Sequence, residues 1–180
     1  MTRLARCCLA TLVVFLWSFP QPALPEGLIS LLERGDVAPS FELKSRSGEL
    51  VSFNPGGRAS VLVFWSAYCK VCTEIIPALN ETYELYRDGV NFLSVNVDGE
   101  PHVDNVVLFI DDHDILYPVA FDAIVDDFFI AADKYGIIHT PTIFFIGKDK
   151  QVIDVLEGDE VKKVKERAEK ILRMPASNQN

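Results

Sequence analysis

The chain has 180 residues, of which 49% are hydrophobic and 24% charged, and its formal net charge is −9. This size and composition predict one globular domain with an ordinary hydrophobic core and exclude a disordered chain. The basic residues form no stripe or cluster, so the sequence does not indicate a nucleic-acid-binding protein.

The first 25 residues have the pattern of a secretory signal. Arg3 and Arg6 precede an uncharged apolar run over residues 7–19, and a proline-rich stretch over 20–25 ends this run. The run is shorter than the roughly 20 residues that a membrane-spanning helix needs. We therefore expect a signal peptide with Ala23 at its end, and an uncleaved N-terminal membrane anchor is the alternative. Either one places the protein outside the cytoplasm.

A β-hairpin is predicted at the start of the domain that follows. Residues 41–43 and 49–53 alternate apolar with polar side chains, and residues 45–48 between them have turn composition. Residues 59–65 form a β-rich, mainly apolar run without alternation, which predicts a buried central strand. A helix is expected from about Cys69 to Arg87.

Strands and helices alternate through the rest of the chain. We expect a strand over 90–97, a helix over 103–114, an extended piece over 118–121, a helix over 125–135, a strand over 142–146, its hairpin partner over 151–156 and a helix over 160–173. Asp126 and Asp127 are assigned to the first turn of the helix over 125–135, where acidic side chains are favourable. The order of elements predicts an α/β domain over 35–173, with a mixed central sheet, helices on both faces and an added N-terminal β-hairpin. Residues 174–180 are expected to form a flexible tail.

Two of the four cysteines, Cys69 and Cys72, lie in this domain. Two cysteines cannot supply a four-ligand zinc site, and no histidine has metal-site spacing to them, so no metal is expected. A structural disulfide closing so short a loop would stabilise the fold very little. The favoured interpretation is a redox-active disulfide that needs no other cofactor.

The reactivity of this pair follows from its position, because the two cysteines lie at the start of a predicted helix, directly after a predicted buried strand. Free N–H groups and the partial positive charge of a helix N-terminus favour a thiolate, and Lys70 adds a cation, so the pKa of Cys69 should fall. Cys69 is then the exposed nucleophile, and Cys72 is the buried cysteine that resolves the mixed disulfide. Four residues are expected to surround the pair: Trp65, Tyr68, Lys70 and Val71.

A second motif, Thr140-Pro141-Thr142, directly precedes a predicted strand. A proline that opens a strand beside an active site can carry a cis peptide bond. The backbone of Thr140 would then lie exposed next to Cys69 and could pair with a substrate strand. The alternative is an ordinary turn proline.

Together these motifs resemble the thioredoxin superfamily, and in particular its extracytoplasmic TlpA/ResA-like branch, over residues 35–172. The motifs that carry the resemblance are Ala38-Pro39-Ser40-Phe41, Val63-Phe64-Trp65-Ser66-Ala67-Tyr68-Cys69, Pro77, Val95-Asn96-Val97-Asp98, Tyr135-Gly136 before Thr140-Pro141-Thr142, and Phe144-Phe145-Ile146-Gly147-Lys148-Asp149. The resemblance implies a cis Pro141 and a thiol–disulfide oxidoreductase for cysteines of exported proteins. It favours a reductant over an oxidant, with cytochrome c maturation among the roles of relatives. It also implies a membrane or periplasmic electron donor and a location in the bacterial periplasm.

The sequence departs from the family pattern at two positions that usually hold a buried acid. Val63 stands where thioredoxins have aspartate, and Ile75 stands where many ResA-like proteins have glutamate, with Glu74 one residue earlier. Two other functions stay open. A peroxiredoxin-type peroxidase shares the fold, although its threonine three residues before the reactive cysteine is Ser66 or Cys69 here. A non-enzymatic binding module with an inert disulfide is the third interpretation.

Overall fold

The computed structural model describes residues 30–172. The strands are β1 (Phe41–Ser45), β2 (Leu50–Phe53), β3 (Ser60–Trp65), β4 (Asn91–Asn96), β5 (Val119–Phe121), β6 (Ile124–Val125), β7 (Phe128–Phe129), β8 (Thr142–Ile146) and β9 (Val152–Glu157). The α-helices are α1 (Lys70–Tyr86), α2 (Val103–Asp112), α3 (Ala132–Tyr135) and α4 (Val164–Leu172), and 3-10 turns at Glu100–His102 and Gly158–Lys163 precede α2 and α4. The leader over 1–25 and the whole of the predicted tail over 174–180 lie outside the described residues.

A mixed sheet forms the centre of the described domain. Its order is β2-β1-β5-β4-β3-β8-β9, with β3, β4 and β5 parallel to one another and the outer neighbours antiparallel. All six residues of β3 and all five of β8 are buried, as expected for central strands covered on both faces. The predicted α/β fold with a mixed sheet and an opening β1–β2 hairpin is therefore present.

The alternation of side chains along the strands creates two cores. On one face, Val61, Val63 and Trp65 of β3 pack with the buried sides of α1, α2 and α4. On the other face, Leu62 and Phe64 pack with the β1–β2 hairpin and with α3. Helices lie on both faces as predicted, but within residues 30–172 the second face has only the single turn of α3.

The helix predicted over 125–135 is wrong for most of its length. Residues 124–129 form a two-stranded hairpin, in which Ile124 pairs with Phe129 and Val125 pairs with Phe128. Asp126 and Asp127 have φ values of 52° and 68°, which are left-handed values and incompatible with the first turn of a helix. A two-residue turn with positive φ at both positions matches the twist of a hairpin and favours Asp and Asn. The acidic pair is therefore a turn, and helix appears only at Ala132–Tyr135.

Among residues 30–172, no helix is long and apolar enough to cross a membrane. The chain enters the described domain beside α3, where the N–H of Leu32 donates to the carbonyl of Tyr135 at 3.2 Å. Gly136 has a φ of 68°, and a Cβ at this position would lie 2.0 Å from the carbonyl oxygen of Ser30. This glycine therefore permits both the end of α3 and the close approach of the entering segment.

Candidate active site

Cys69 and Cys72 form a disulfide at the start of α1, with their Cα atoms 5.2 Å apart. Cys69 is the N-cap residue in an extended conformation, and its Sγ accepts a 3.1 Å hydrogen bond from the backbone N–H of Cys72. Cys72 is only 3% exposed and belongs to the α1 side of the core, whereas Cys69 is half-buried. The two cysteines thus differ in exposure, and Sγ of Cys69 accepts a hydrogen bond from one of the N–H groups at the helix terminus.

The Thr140–Pro141 peptide bond is cis, and it lies against the disulfide. The carbonyl oxygen of Thr140 is 3.4 Å from Sγ of Cys69. The hydroxyl of Thr142 donates a 2.8 Å hydrogen bond to the carbonyl of His139, which holds the loop before β8. A cleft of about 260 Å³ runs alongside Thr140. Its apolar lining includes Val97, Phe129, Ile137 and Ile138, and the exposed His139 lies at its edge.

The predicted surrounding residues separate into a buried and an exposed group. Trp65 is 3% exposed; its indole N–H donates to the hydroxyl of Ser94 at 3.2 Å, so it is a core residue behind the disulfide. Val71 packs on the same core. Tyr68 is 68% exposed, and its hydroxyl lies 3.2 Å from Nδ1 of His102. Lys70 is exposed, with its Nζ 4.0 Å from the carboxylate of Glu74.

The structure places apolar side chains at both positions where the family pattern has a buried acid. Val63 is fully buried and Ile75 is 3% exposed, in the same core as Cys72. Glu74 lies on the exposed side of α1, paired with Lys70 rather than directed at Cys72. The turn of the helix by about 100° per residue explains why a carboxylate at 74 does not replace one at 75.

Asp122, a buried carboxylate, directly follows β5 and closes the segment around the β6–β7 hairpin. It accepts hydrogen bonds from the N–H groups of Ala123, Ala131 and Ala132 at 3.0, 3.0 and 2.8 Å. Burial raises the pKa of Asp122 above the ordinary aspartate value, and the three amide hydrogen bonds offset only part of this rise.

Sequence reasoning missed the polar group that holds the loop in front of Cys69. Asp98 follows β4, and its carboxylate accepts hydrogen bonds from the hydroxyl of Ser66 at 2.5 Å and from the N–H of Ala67 at 2.8 Å. The signal was available, because β3 and β4 were both predicted as consecutive buried strands. Polar residues just after neighbouring parallel strands meet at one edge of the sheet. In the sequence, Asn96 and Asp98 stand out only as part of the motif Val95-Asn96-Val97-Asp98.

No cluster of three or more His, Cys, Asp or Glu side chains suited to a metal ion is present in the part of the chain that the structure describes.

Comparison with known proteins places this geometry in a family. A family model described as the AhpC/TSA family matches residues 34–155. The thiol-disulfide oxidoreductase ResA of Bacillus thuringiensis subsp. konkukian is 33% identical over 135 residues, which cover 73% of each chain. ResA of Geobacillus thermodenitrificans is 34% identical over 142 residues, covering 76% of this chain and 77% of that protein.

Two solved structures share the fold. StoA from Bacillus subtilis is 25% identical, with a TM-score of 0.59, covering 72% of this chain and 96% of that one. A thioredoxin-family thiol:disulfide interchange protein from Chlorobium tepidum TLS is 24% identical, with a TM-score of 0.59, covering 75% of this chain and 97% of that one.

Proposed function

The chain belongs to the AhpC/TSA family and is a relative of its ResA thiol-disulfide oxidoreductases, and we propose that it exchanges the Cys69–Cys72 disulfide with cysteine pairs of exported proteins. The observation that carries this proposal is the position of the disulfide. It caps a helix N-terminus, it has one buried and one accessible sulfur, and the carbonyl of Thr140 lies against the accessible one.

In the reducing direction, the thiolate of Cys69 attacks one sulfur of a substrate disulfide, and the other substrate sulfur leaves as a thiolate. Cys72 then loses its proton and attacks Sγ of Cys69, which releases the second substrate thiolate. The substrate gains two electrons, and the protein returns to the disulfide state described here. The half-burial of Cys69 and the 3% exposure of Cys72 support this division of roles.

Thr140 and Pro141 bind the substrate backbone in this proposal. The carbonyl oxygen of Thr140 lies 3.4 Å from Sγ of Cys69, so a substrate strand that pairs there brings its own cysteine to the reacting sulfur. Tyr68 contacts the substrate from the exposed side. Trp65, Lys70 and Val71 act on the cysteines through packing and charge.

The substrates and the electron donor lie outside the cytoplasm in this proposal. The leader over 1–25 exports the domain over 35–173 or anchors it to the membrane, and a membrane or periplasmic dithiol returns electrons to the pair. The direction is reduction of exported proteins in the bacterial periplasm, with apocytochrome c as one candidate substrate. The relation to ResA proteins supports the type of reaction.

The reduction potential of the Cys69–Cys72 pair tests the proposal. The oxidised protein is equilibrated against defined thiol buffers, and the fraction of reduced Cys69 is measured by alkylation. A value of about −250 mV or lower matches reductants such as thioredoxin, whereas a value of about −120 mV matches strong oxidants and reverses the direction of the reaction.

Two results would replace this function with one of the alternatives. A disulfide that resists mild thiol reductants would indicate an inert bridge in a binding module. Rapid consumption of hydrogen peroxide by the reduced protein would indicate a peroxidase.

A further inference from the structure

A three-residue loop, 66–68, joins the end of β3 to Cys69, and one carboxylate holds it. Oδ1 of Asp98 accepts a 2.5 Å hydrogen bond from the hydroxyl of Ser66, and Oδ2 accepts a 2.8 Å hydrogen bond from the N–H of Ala67. The Ser66 oxygen accepts in turn a 3.1 Å hydrogen bond from the N–H of Tyr68. Asp98 is therefore linked, directly or through Ser66, to each residue of the loop.

Asp98 is itself fixed to the core of the sheet. The side-chain amide of Asn96 donates to Oδ2 of Asp98 at 2.8 Å, and the N–H of Asp98 donates to the Asn96 side-chain oxygen at 3.2 Å. Asn96 is 1% exposed and is the register partner of Trp65 on the neighbouring parallel strand. The carboxylate thus has a set position relative to the strand end from which the loop departs.

The loop determines where Cys69 lies relative to α1. The N–H of Cys69 donates to the carbonyl of Ser66 at 3.2 Å, and Sγ of Cys69 accepts from the N–H of Cys72 at 3.1 Å. In the reduced protein, the second of these bonds and the helix terminus stabilise a thiolate only while the sulfur stays in this position. If the loop were free to move, Cys69 could turn into solvent, and its sulfur would lose the hydrogen bond from Cys72 and the stabilisation by the helix terminus.

We propose that Asp98 is a positioning residue that acts through Ser66 and Ala67 to keep Sγ of Cys69 at the N-terminus of α1. This inference rests on the proposed thiol–disulfide exchange at Cys69, and it adds that the stability of the Cys69 thiolate depends on a residue 29 positions away. The negative charge of Asp98 has the opposite effect, because a nearby anion disfavours a thiolate. Substitutions can therefore separate the effect of the Asp98 hydrogen bonds on the Cys69 thiolate from the effect of the Asp98 charge.

Three variants of the full chain separate the two effects. Ser66→Ala removes the hydroxyl link and keeps the charge. Ser66→Thr keeps the hydroxyl. Asp98→Asn removes the charge but can keep the contacts, since its oxygen can accept from Ala67 and Asn96 while its amide donates to Ser66. Asp88→Asn is the charge-matched control, because exposed Asp88 lies just beyond the far end of the 17-residue helix α1, about 25 Å away.

The measurement is the rate of iodoacetamide alkylation of Cys69 in reduced protein as a function of pH. Trypsin cleavage after Arg58 and Lys70 places Cys69 in a peptide without another cysteine, so mass spectrometry follows it separately from Cys72 and from the leader cysteines. We expect Ser66→Ala to move the midpoint up by about half a pH unit or more. Ser66→Thr and Asp88→Asn should match the wild type, and Asp98→Asn should lie at the wild-type midpoint or below it.

The inference is wrong if Ser66→Ala keeps the wild-type midpoint, even with a lowered melting temperature, because Asp98 would then only stabilise the fold. A rise for Asp98→Asn as large as that for Ser66→Ala would instead support the inference, because it would mean that asparagine does not keep the contacts with Ser66 and Ala67. Failure of the proposed function is a separate result: the wild type itself would then not reduce a disulfide substrate such as insulin, whatever the variants show in alkylation.

Discussion

The carbonyl oxygen of Thr140 lies 3.4 Å from Sγ of Cys69, although 71 positions separate the two residues in the chain. Strand pairing creates this contact, because β8 lies next to β3 in antiparallel register, with Thr142 opposite Phe64. The start of β8 and the end of β3 therefore meet at one edge of the sheet. The loop that carries Pro141 is brought to the disulfide by the same pairing.

Cys72→Ser should trap substrates as mixed disulfides, because the remaining Cys69 attacks and no second thiol can resolve the bond. Cys69→Ser is the matched control, and it should trap at least about tenfold less, since Cys72 is only 3% exposed. The products are separated on non-reducing gels after exposure to a disulfide-bonded substrate. Equal trapping by the two variants would contradict the roles assigned to the two cysteines.

Leu79→Ala should lower the free energy of unfolding by about 2–5 kcal/mol, because it removes a large buried side chain on the sheet side of α1. Leu79 is 2% exposed, whereas Leu85 on the same helix is 55% exposed. Leu85→Ala is therefore expected to cost less than about 1 kcal/mol. Urea unfolding of both variants measures the difference. Similar losses for the two would mean that this side of α1 is not the tightly packed one.

Asp122→Asn should become more stable relative to the wild type as the pH rises. Burial raises the pKa of Asp122 in the folded protein, so between the ordinary value of 3.8 and the raised value the folded state binds the proton more tightly than the unfolded state. The stability that this group contributes is present below the lower value and is lost as the pH rises through the higher one. An asparagine at 122 has no such dependence.

Urea unfolding of wild type and Asp122→Asn at several pH values from about 4 upward measures this difference. Asp88→Asn is the control for the removal of an exposed aspartate charge. An offset from the wild type that stays constant with pH for Asp122→Asn would mean that the carboxylate of Asp122 is not desolvated in solution.

Gly136→Ala should destabilise the fold more than Gly48→Ala. Both glycines have positive φ, 68° and 81°, so an alanine costs about 1–2 kcal/mol of backbone strain at either position. Only Gly136 adds a clash, with backbone atoms of Ser30 and Leu31 as close as 2.0 Å, while Gly48 faces open space. Thermal melting of the two variants compares the costs. Equal melting temperatures would show that the segment at Ser30 moves aside without loss.

Much of the fold could be predicted because its signals are local. The apolar run of β3 and the spacing of α1 depend on neighbours within a few residues, and α1 begins next to Cys69, as predicted. The error at Asp126 and Asp127 has a local cause as well. Acidic residues are favourable both in a first helical turn and in a tight hairpin turn.

Local sequence signals predict the α/β pattern, the CxxC pair at a helix start and the proline before β8. The contacts that distant residues make with the pair and its loop depend on the tertiary structure. Strand order brought Thr140 to Cys69, and it brought Asp98 to Ser66 across 32 positions. Composition and periodicity describe which face of an element is buried, but they do not record which strand ends become neighbours. The packing of the whole sheet determines which strand ends are neighbours, because side chains distant in the chain contact each other only once the strands have their order in the sheet.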